Sequence, residues 1–176
     1  MDLPSRVHPA LAEAAVDGFI QSSGWHRRGA AYGWELRRHG PLTVIAVVPA
    51  RYFAGERDRF TLRLNCGYYP AHPPDVRFVN PDTLEYDLER DMHHLPQLQA
   101  PYCAVHPNYT GFPESYPFAP QLVCSSMSLG YYFSGHSPTV DQLWRVDKHT
   151  LGTCIYTVYK ALNSEHFQGR YARQGQ

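Results

Sequence analysis

RFTLRLNCGYYPAHPPDVRFVNP, residues 59–81, holds two strand patterns and a stiff segment between them. Over 59–66, Phe60, Leu62 and Leu64 fall on one side, and Thr61 and Arg63 on the other. That period of two is the mark of a half-buried strand. The pattern returns at 75–81, with Val76, Phe78 and Asn80 on a common face. Between them, Pro73 and Pro74 cannot donate to a sheet ladder, so GYYPAHPPD, 67–75, reads as a rigid connector. Short connections of this kind join antiparallel strands, because a parallel pair needs a crossover of about a dozen residues or more.

Upstream, LTVIAVVPA, 42–50, is β-branched and nearly continuous, as a central strand would be, and GWELRRHG, 33–40, is a shorter strand ending in a Gly-Pro turn. HPALAEAAVDGFIQSS, 8–23, brings Ala10, Leu11, Ala14, Ala15, Phe19 and Ile20 round at helical spacing, with Gly24 placed to stop the helix. Downstream, 81 to about 146 shows little regular periodicity, and its many aromatic residues argue for an ordered, functional loop rather than disorder. KHTLGTCIYTVYKALNSEHF, 148–167, returns to helical spacing. Leu151, Cys154, Ile155, Val158, Ala161 and Leu162 form its apolar stripe, and Asn163 its end. The expected fold is α+β: a four-stranded antiparallel meander flanked by an N-terminal and a C-terminal helix, with a long ordered loop. All of it belongs to a single domain over 1–176, with its core at about 8–167 and a short C-terminal tail.

A chain of 176 residues can bury one substantial core. Basic and acidic residues balance at 16 each, so no excess charge draws the chain to nucleic acid or to a membrane. The 13 Tyr and 15 Pro fit a packed domain with rigid loops. Cys66, Cys103, Cys124 and Cys154 are widely spaced and form no C-x-x-C pair. The N-terminal stretch has no apolar run suited to a signal peptide, and no apolar stretch approaches the roughly 20 residues of a membrane span. The expectation is a cytoplasmic protein with reduced thiols.

Several short motifs fall in a telling order. They are Tyr69-Pro70-Ala71-His72-Pro73-Pro74, Val76-Arg77-Phe78, His106-Pro107-Asn108 and Val123-Cys124, followed by Trp144 and the helix from 148. In this order the chain resembles the ubiquitin-conjugating enzyme (UBC) fold family, over roughly residues 8–167. There are departures. Sixteen positions separate Asn108 from Cys124, more than is usual in the family; the stretch from Pro81 to His106 is long; and little chain follows 167 for the family's last helices. Such a form resembles the divergent bacterial members of ubiquitin-like conjugation operons, some implicated in antiviral defence.

The resemblance implies that Cys124 carries an acyl group, that Asn108 stabilises the oxyanion formed when an amine attacks the thioester, and that the 148–167 helix is the crossover helix. A thiol suits the carrier role because a thiolate both attacks and leaves well at neutral pH. A fixed amide donor at the oxyanion is worth on the order of 100-fold. His106 in the same motif reads as structural. His136, in YYFSGHSPTVDQLW, is a candidate helper in deprotonating the amine, and Asp141 a weaker one. Ser137-Pro138 and the 69–74 connector resemble the family's ligase-contacting loops, although His72 stands where a large apolar residue is usual. Cys66 and Cys154 read as structural; His93, His94, Cys103 and His106 match no common zinc spacing, so no metal and no cofactor is expected.

The implied partners are a ubiquitin-like modifier, its adenylating activating enzyme, and a target protein or ligase. Two other functions fit the residues: a non-catalytic UBC-like module that binds a ubiquitin-like protein, and a thiol hydrolase pairing Cys124 with His136 or His149.

Overall fold

The computed structural model describes residues 3–172. The alternating stretches form the middle of an antiparallel sheet. Its strands are β1 (Glu35–Gly40), β2 (Thr43–Phe53), β3 (Glu56–Asn65) and β4 (Asp75–Val79), side by side in that order. β2 and β3 outrun the sequence patterns because they are the arms of one hairpin, whose tip is Ala54 at φ 51° and Gly55 at φ 86°. Positive φ at both turn residues matches the twist of the strands they join. Register places Val44, Ala46 and Val48 opposite Leu64, Leu62 and Phe60, and Leu62 and Leu64 opposite Phe78 and Val76. All eight side chains are buried. Asn80 lies just beyond β4 and takes no part in this face; its amide bonds Asp91 at 2.9 Å instead.

The N-terminal region differs from expectation. α1 (Pro9–Gln21) ends before Gly24, and a second helix, α2 (Ser23–Tyr32), runs through that glycine. The break falls at Ser22, whose amide and hydroxyl both donate to the Phe19 carbonyl, at 3.0 and 2.8 Å. The buried line of α1 is Ala12, Val16 and Phe19, while Leu11 is exposed. An alanine-rich helix offers several apolar lines at helical spacing, and packing selects one.

The C-terminal helix, α4, spans Leu151–Leu162, shorter than 148–167. Thr150 and Thr153 close a capping box at its start, and Asn163 caps its end. Its buried residues include the six of the apolar stripe, packed against β2 and a second sheet.

That second sheet is the main correction. β5 (Pro96–Ala100), β6 (Cys103–His106), β7 (Leu122–Cys124) and β8 (Phe167–Arg170) pair antiparallel in the order β7-β6-β5-β8. The stretch expected to be a loop supplies three of these strands, a 3-10 turn at Met92–His94 and a short helix, α3 (Leu129–Phe133). The fourth strand begins at Phe167, the last residue of the expected helical stretch, and runs on into the expected tail; Phe167 lies in the core against Phe53 and Phe60.

β4 ends the first sheet, and its free edge is covered by side chains. Gln121 accepts from the Phe78 amide at 2.8 Å and donates to the Phe78 carbonyl at 2.9 Å, while Ser128 Oγ accepts from the Val76 amide. These bonds replace a missing strand and tie the chain on both sides of β7 to the first sheet. The segment between β6 and β7 is ordered by a second cluster in which Phe112, Tyr116, Phe118 and Phe133 pack with Tyr68 and Leu129. Beneath it, buried Asp75 accepts from Tyr116 and from Arg77. Among the described residues no helix is long and apolar enough to cross a membrane.

Candidate active site

Cys124 is the last residue of β7. Its register partner is Ala104, and the neighbouring pair Val105–Val123 is buried. Side chains alternate along a strand, so Val123 points into the core and Cys124 points away from it. The thiol opens on a cleft of about 240 Å³, lined also by Tyr102, Ser126, Tyr131, His136 and Gln142. No Asp, Glu, Lys or Arg lines it. The other three cysteines are buried. Burial pushes the Cys66 and Cys103 thiols up to about 12, and lifts Cys154 well above the ordinary value. Cys124 alone combines a thiol with an open approach.

Partial burial raises the Cys124 thiol too, so it is protonated at neutral pH and needs a base to become nucleophilic. The structure supplies one. His136 Nε2 lies 3.7 Å from Cys124 Sγ, and the imidazole stacks on Tyr131 with ring centroids 4.6 Å apart and planes 23° from parallel. His136 reaches the thiol because α3 ends at Phe133 and the chain turns back through Gly135, at φ 76°. His106, two residues along β6 from Ala104, lies on the same outward face as Cys124. Its imidazole is held below the ordinary value first by burial and then by His136.

Asn108 does not line the cleft on which the thiol opens. It is exposed and lies beyond the end of β6, four positions from Ala104. The cleft opens at the other end of the strand pair, by the β5–β6 turn at Tyr102. The chain that lengthens the gap to Cys124 is the aromatic-clustered segment itself, which leaves and re-enters the hairpin where the Tyr109 amide bonds the Pro120 carbonyl at 2.7 Å.

Asp141 is exposed, its carboxyl held below the usual range first by a hydrogen bond from the Thr139 side chain. His149 accepts from the Arg145 amide at 3.0 Å and does not line the cleft. Ser137 and Pro138 sit in the loop after His136, with Ser137 exposed. Trp144 donates to the Pro70 carbonyl at 2.8 Å and packs against Tyr69, so it holds the proline connector in place. His93 and His94 lie side by side in the 3-10 turn with ring planes tilted by 42°, and Cys103 and His106 face opposite sides of β6. Among the described residues no group of three or more His, Cys, Asp or Glu is placed to hold a metal ion. A larger cleft of about 320 Å³ lies between α1, α2 and the start of α4, lined by Phe19, Trp25, Arg27, Arg28 and Trp34, but no thiol opens on it.

Sequence reasoning did not find Tyr102, Ser126, Tyr131, Ser134 or Gln142. No motif marks them; they converge only because α3 and the loop after it fold back over β7. A scan against protein-family models finds no match, and a search of curated proteins finds none.

Proposed function

We propose that the chain is a ubiquitin-conjugating-enzyme-like acyl carrier. It accepts a ubiquitin-like modifier from an adenylating activating enzyme as a thioester on Cys124, and passes it to an amine of a target protein. The observation that carries this reading is the contact between the one accessible thiol and the imidazole of His136, in a cleft without charged side chains. The order of the motifs along the chain, from the helix and meander through the proline connector to Cys124, Trp144 and α4, supports it. So does the resemblance to the bacterial members of conjugation operons, some of them implicated in antiviral defence; a cytoplasmic setting belongs to the same reading.

The chemistry follows from the pair. His136 Nε2 takes the thiol proton, and the thiolate attacks the incoming thioester carbonyl. Thioester exchange is close to isoenergetic, so placement matters more than an elaborate acid–base apparatus. In the second half, an amine attacks the Cys124 thioester, His136 accepts the amine proton, and Cys124 leaves as thiolate. The small, uncharged cleft suits an extended segment with little side-chain bulk.

The same contact favours a second reading, a Cys–His thiol hydrolase in which water replaces the amine. Intact-mass measurement under non-reducing conditions separates the two. The protein is mixed with a candidate modifier, its adenylating enzyme and ATP, alongside Cys124→Ala and Cys103→Ala. The carrier predicts an ATP-dependent, thiol-reversible adduct that is lost in Cys124→Ala and kept in Cys103→Ala. Rapid turnover of a generic thioester without a stable adduct indicates the hydrolase. No adduct and no turnover, with modifier and activator shown to react together, indicates a module that only binds.

A further inference from the structure

His136 is also held from behind. Its Nδ1 lies 2.6 Å from Ser134 Oγ, and the same oxygen lies 2.9 Å from the backbone carbonyl of Tyr131. A hydroxyl has one proton to give, and a carbonyl oxygen can only accept. Both contacts are satisfied together when Ser134 donates to the Tyr131 carbonyl and accepts from His136 Nδ1–H. That tautomer leaves Nε2 with a lone pair, and Nε2 is the nitrogen facing Cys124 Sγ. Ser134 is itself fixed. It is buried, its amide donates to the Gly130 carbonyl at 3.0 Å, and its carbonyl accepts from the Tyr109 hydroxyl at 2.8 Å. Tyr131 holds the plane of the imidazole by stacking on it.

We infer that Ser134 is a positioning residue: it sets the tautomer of His136 so that Nε2 can accept the Cys124 proton. This role rests on the reading of Cys124 as the acyl-carrying thiol. In the charging step the proton passes from sulfur to Nε2, and the imidazolium keeps its Nδ1–H on Ser134 Oγ. The thiolate forms a C–S bond to the carbonyl carbon of the incoming thioester. The tetrahedral intermediate then breaks its original C–S bond, and the departing thiolate takes the proton from Nε2. One thioester and one thiol enter, and one of each leaves.

The titratable groups around the pair are Tyr131 from α3, His106 and Cys103 from β6, and Tyr102 at the rim of the cleft.

The test needs no modifier. Because the other three cysteines are buried, alkylation of the full chain by iodoacetamide, followed by intact mass, reports on Cys124. Rates are measured across pH for the parent, Ser134→Ala, Ser134→Thr and His136→Gln. The expected result is a drop of about tenfold near neutral pH in Ser134→Ala, equivalent to the thiol titrating about one pH unit higher. Ser134→Thr, which keeps the hydroxyl, returns to within about twofold of the parent. A Ser134→Ala profile that superposes on the parent overturns the inference. If His136→Gln still differs from the parent, the dyad and the carrier reading stand without Ser134; if it superposes as well, the dyad itself fails. Should Ser134→Ala expose further fast-reacting thiols, long-range proton–nitrogen NMR on the unsubstituted protein decides. A proton on His136 Nδ1 supports the role, and a proton on Nε2 overturns it.

Discussion

Cys124 and His136 lie twelve positions apart in the chain and 3.7 Å apart in space, and each shapes what the other can do. Without the imidazole, a half-buried thiol raised above its ordinary value would stay protonated at neutral pH. Asn108 is expected to matter far less than a motif reading implies. Asn108→Ala should change the rate of aminolysis of a preformed Cys124 thioester by less than about threefold. Loss of a true oxyanion donor costs on the order of 100-fold or more. The check is single-turnover discharge of a Cys124-acylated chain to free lysine, and a 100-fold loss would return Asn108 to the site. Cys124 stood out because it follows His-Pro-Asn in the motif order of the resemblance, whereas Cys66 and Cys154 sit in a strand pattern and a helical stripe and Cys103 lies in the stretch without periodicity. The hydroxyl behind His136 did not stand out, because no sequence pattern says which way a loop folds.

At the scale of elements, the site depends on how β7 is attached. Three residues make a weak strand, and β7 is held in part by Gln121 lying along the β4 edge. Gln121→Leu keeps the bulk and leaves the buried Phe78 amide and carbonyl unpaired, at a cost of about 2–4 kcal/mol. Urea denaturation followed by tryptophan fluorescence measures it. β8 makes a second case. Phe167 is fully buried with its ring near Phe53 and Phe60, so Phe167→Ala should cost about 3–5 kcal/mol, as core aromatic truncations do. A loss below about 1 kcal/mol would show β8 to be the dispensable tail that its position suggests. The short strands escaped the sequence reading for a physical reason. In 3–5 residues a period of two completes one or two cycles: PQLQA of β5, with Pro96, Leu98 and Ala100 buried between two exposed Gln, shows it most fully, and β6 and β8 alternate over only four residues each.

Across the whole molecule, burial holds the imidazoles of His72, His94, His106 and His149 below their ordinary value. In the folded state each resists protonation; in the unfolded chain each titrates near 6.5. Below that value the unfolded chain binds more protons, so stability rises with pH there. The histidine contribution is therefore fully present above about pH 6.5 and is lost as pH falls through that value toward the depressed folded ones. His106→Gln should flatten part of this dependence. Between about pH 7 and about pH 5 the urea midpoint of the variant should fall less than that of the parent. Equal slopes would mean that His106 titrates freely in the folded protein. Comparing the two chains isolates this histidine from every carboxylate that titrates in the same range.

The resemblance in motif order singled out Cys124, while the sequence by itself determined the central meander and the stripe of α4. Each is a local pattern: Phe60, Leu62 and Leu64 alternate because a strand alternates, and Leu151 to Leu162 recur because a helix turns. Only the tertiary structure decided the second sheet, the buried line of α1 and the partners of the thiol. β5 and β8 meet across more than sixty residues of chain, His136 reaches Cys124 only through the turn after α3, and Asn108 falls beyond the last paired residue of β6, outside the cleft. Such pairings are set by which apolar faces bury one another and by which edges must have their hydrogen bonds satisfied. Those are properties of the packed whole and leave no periodic trace in any one segment.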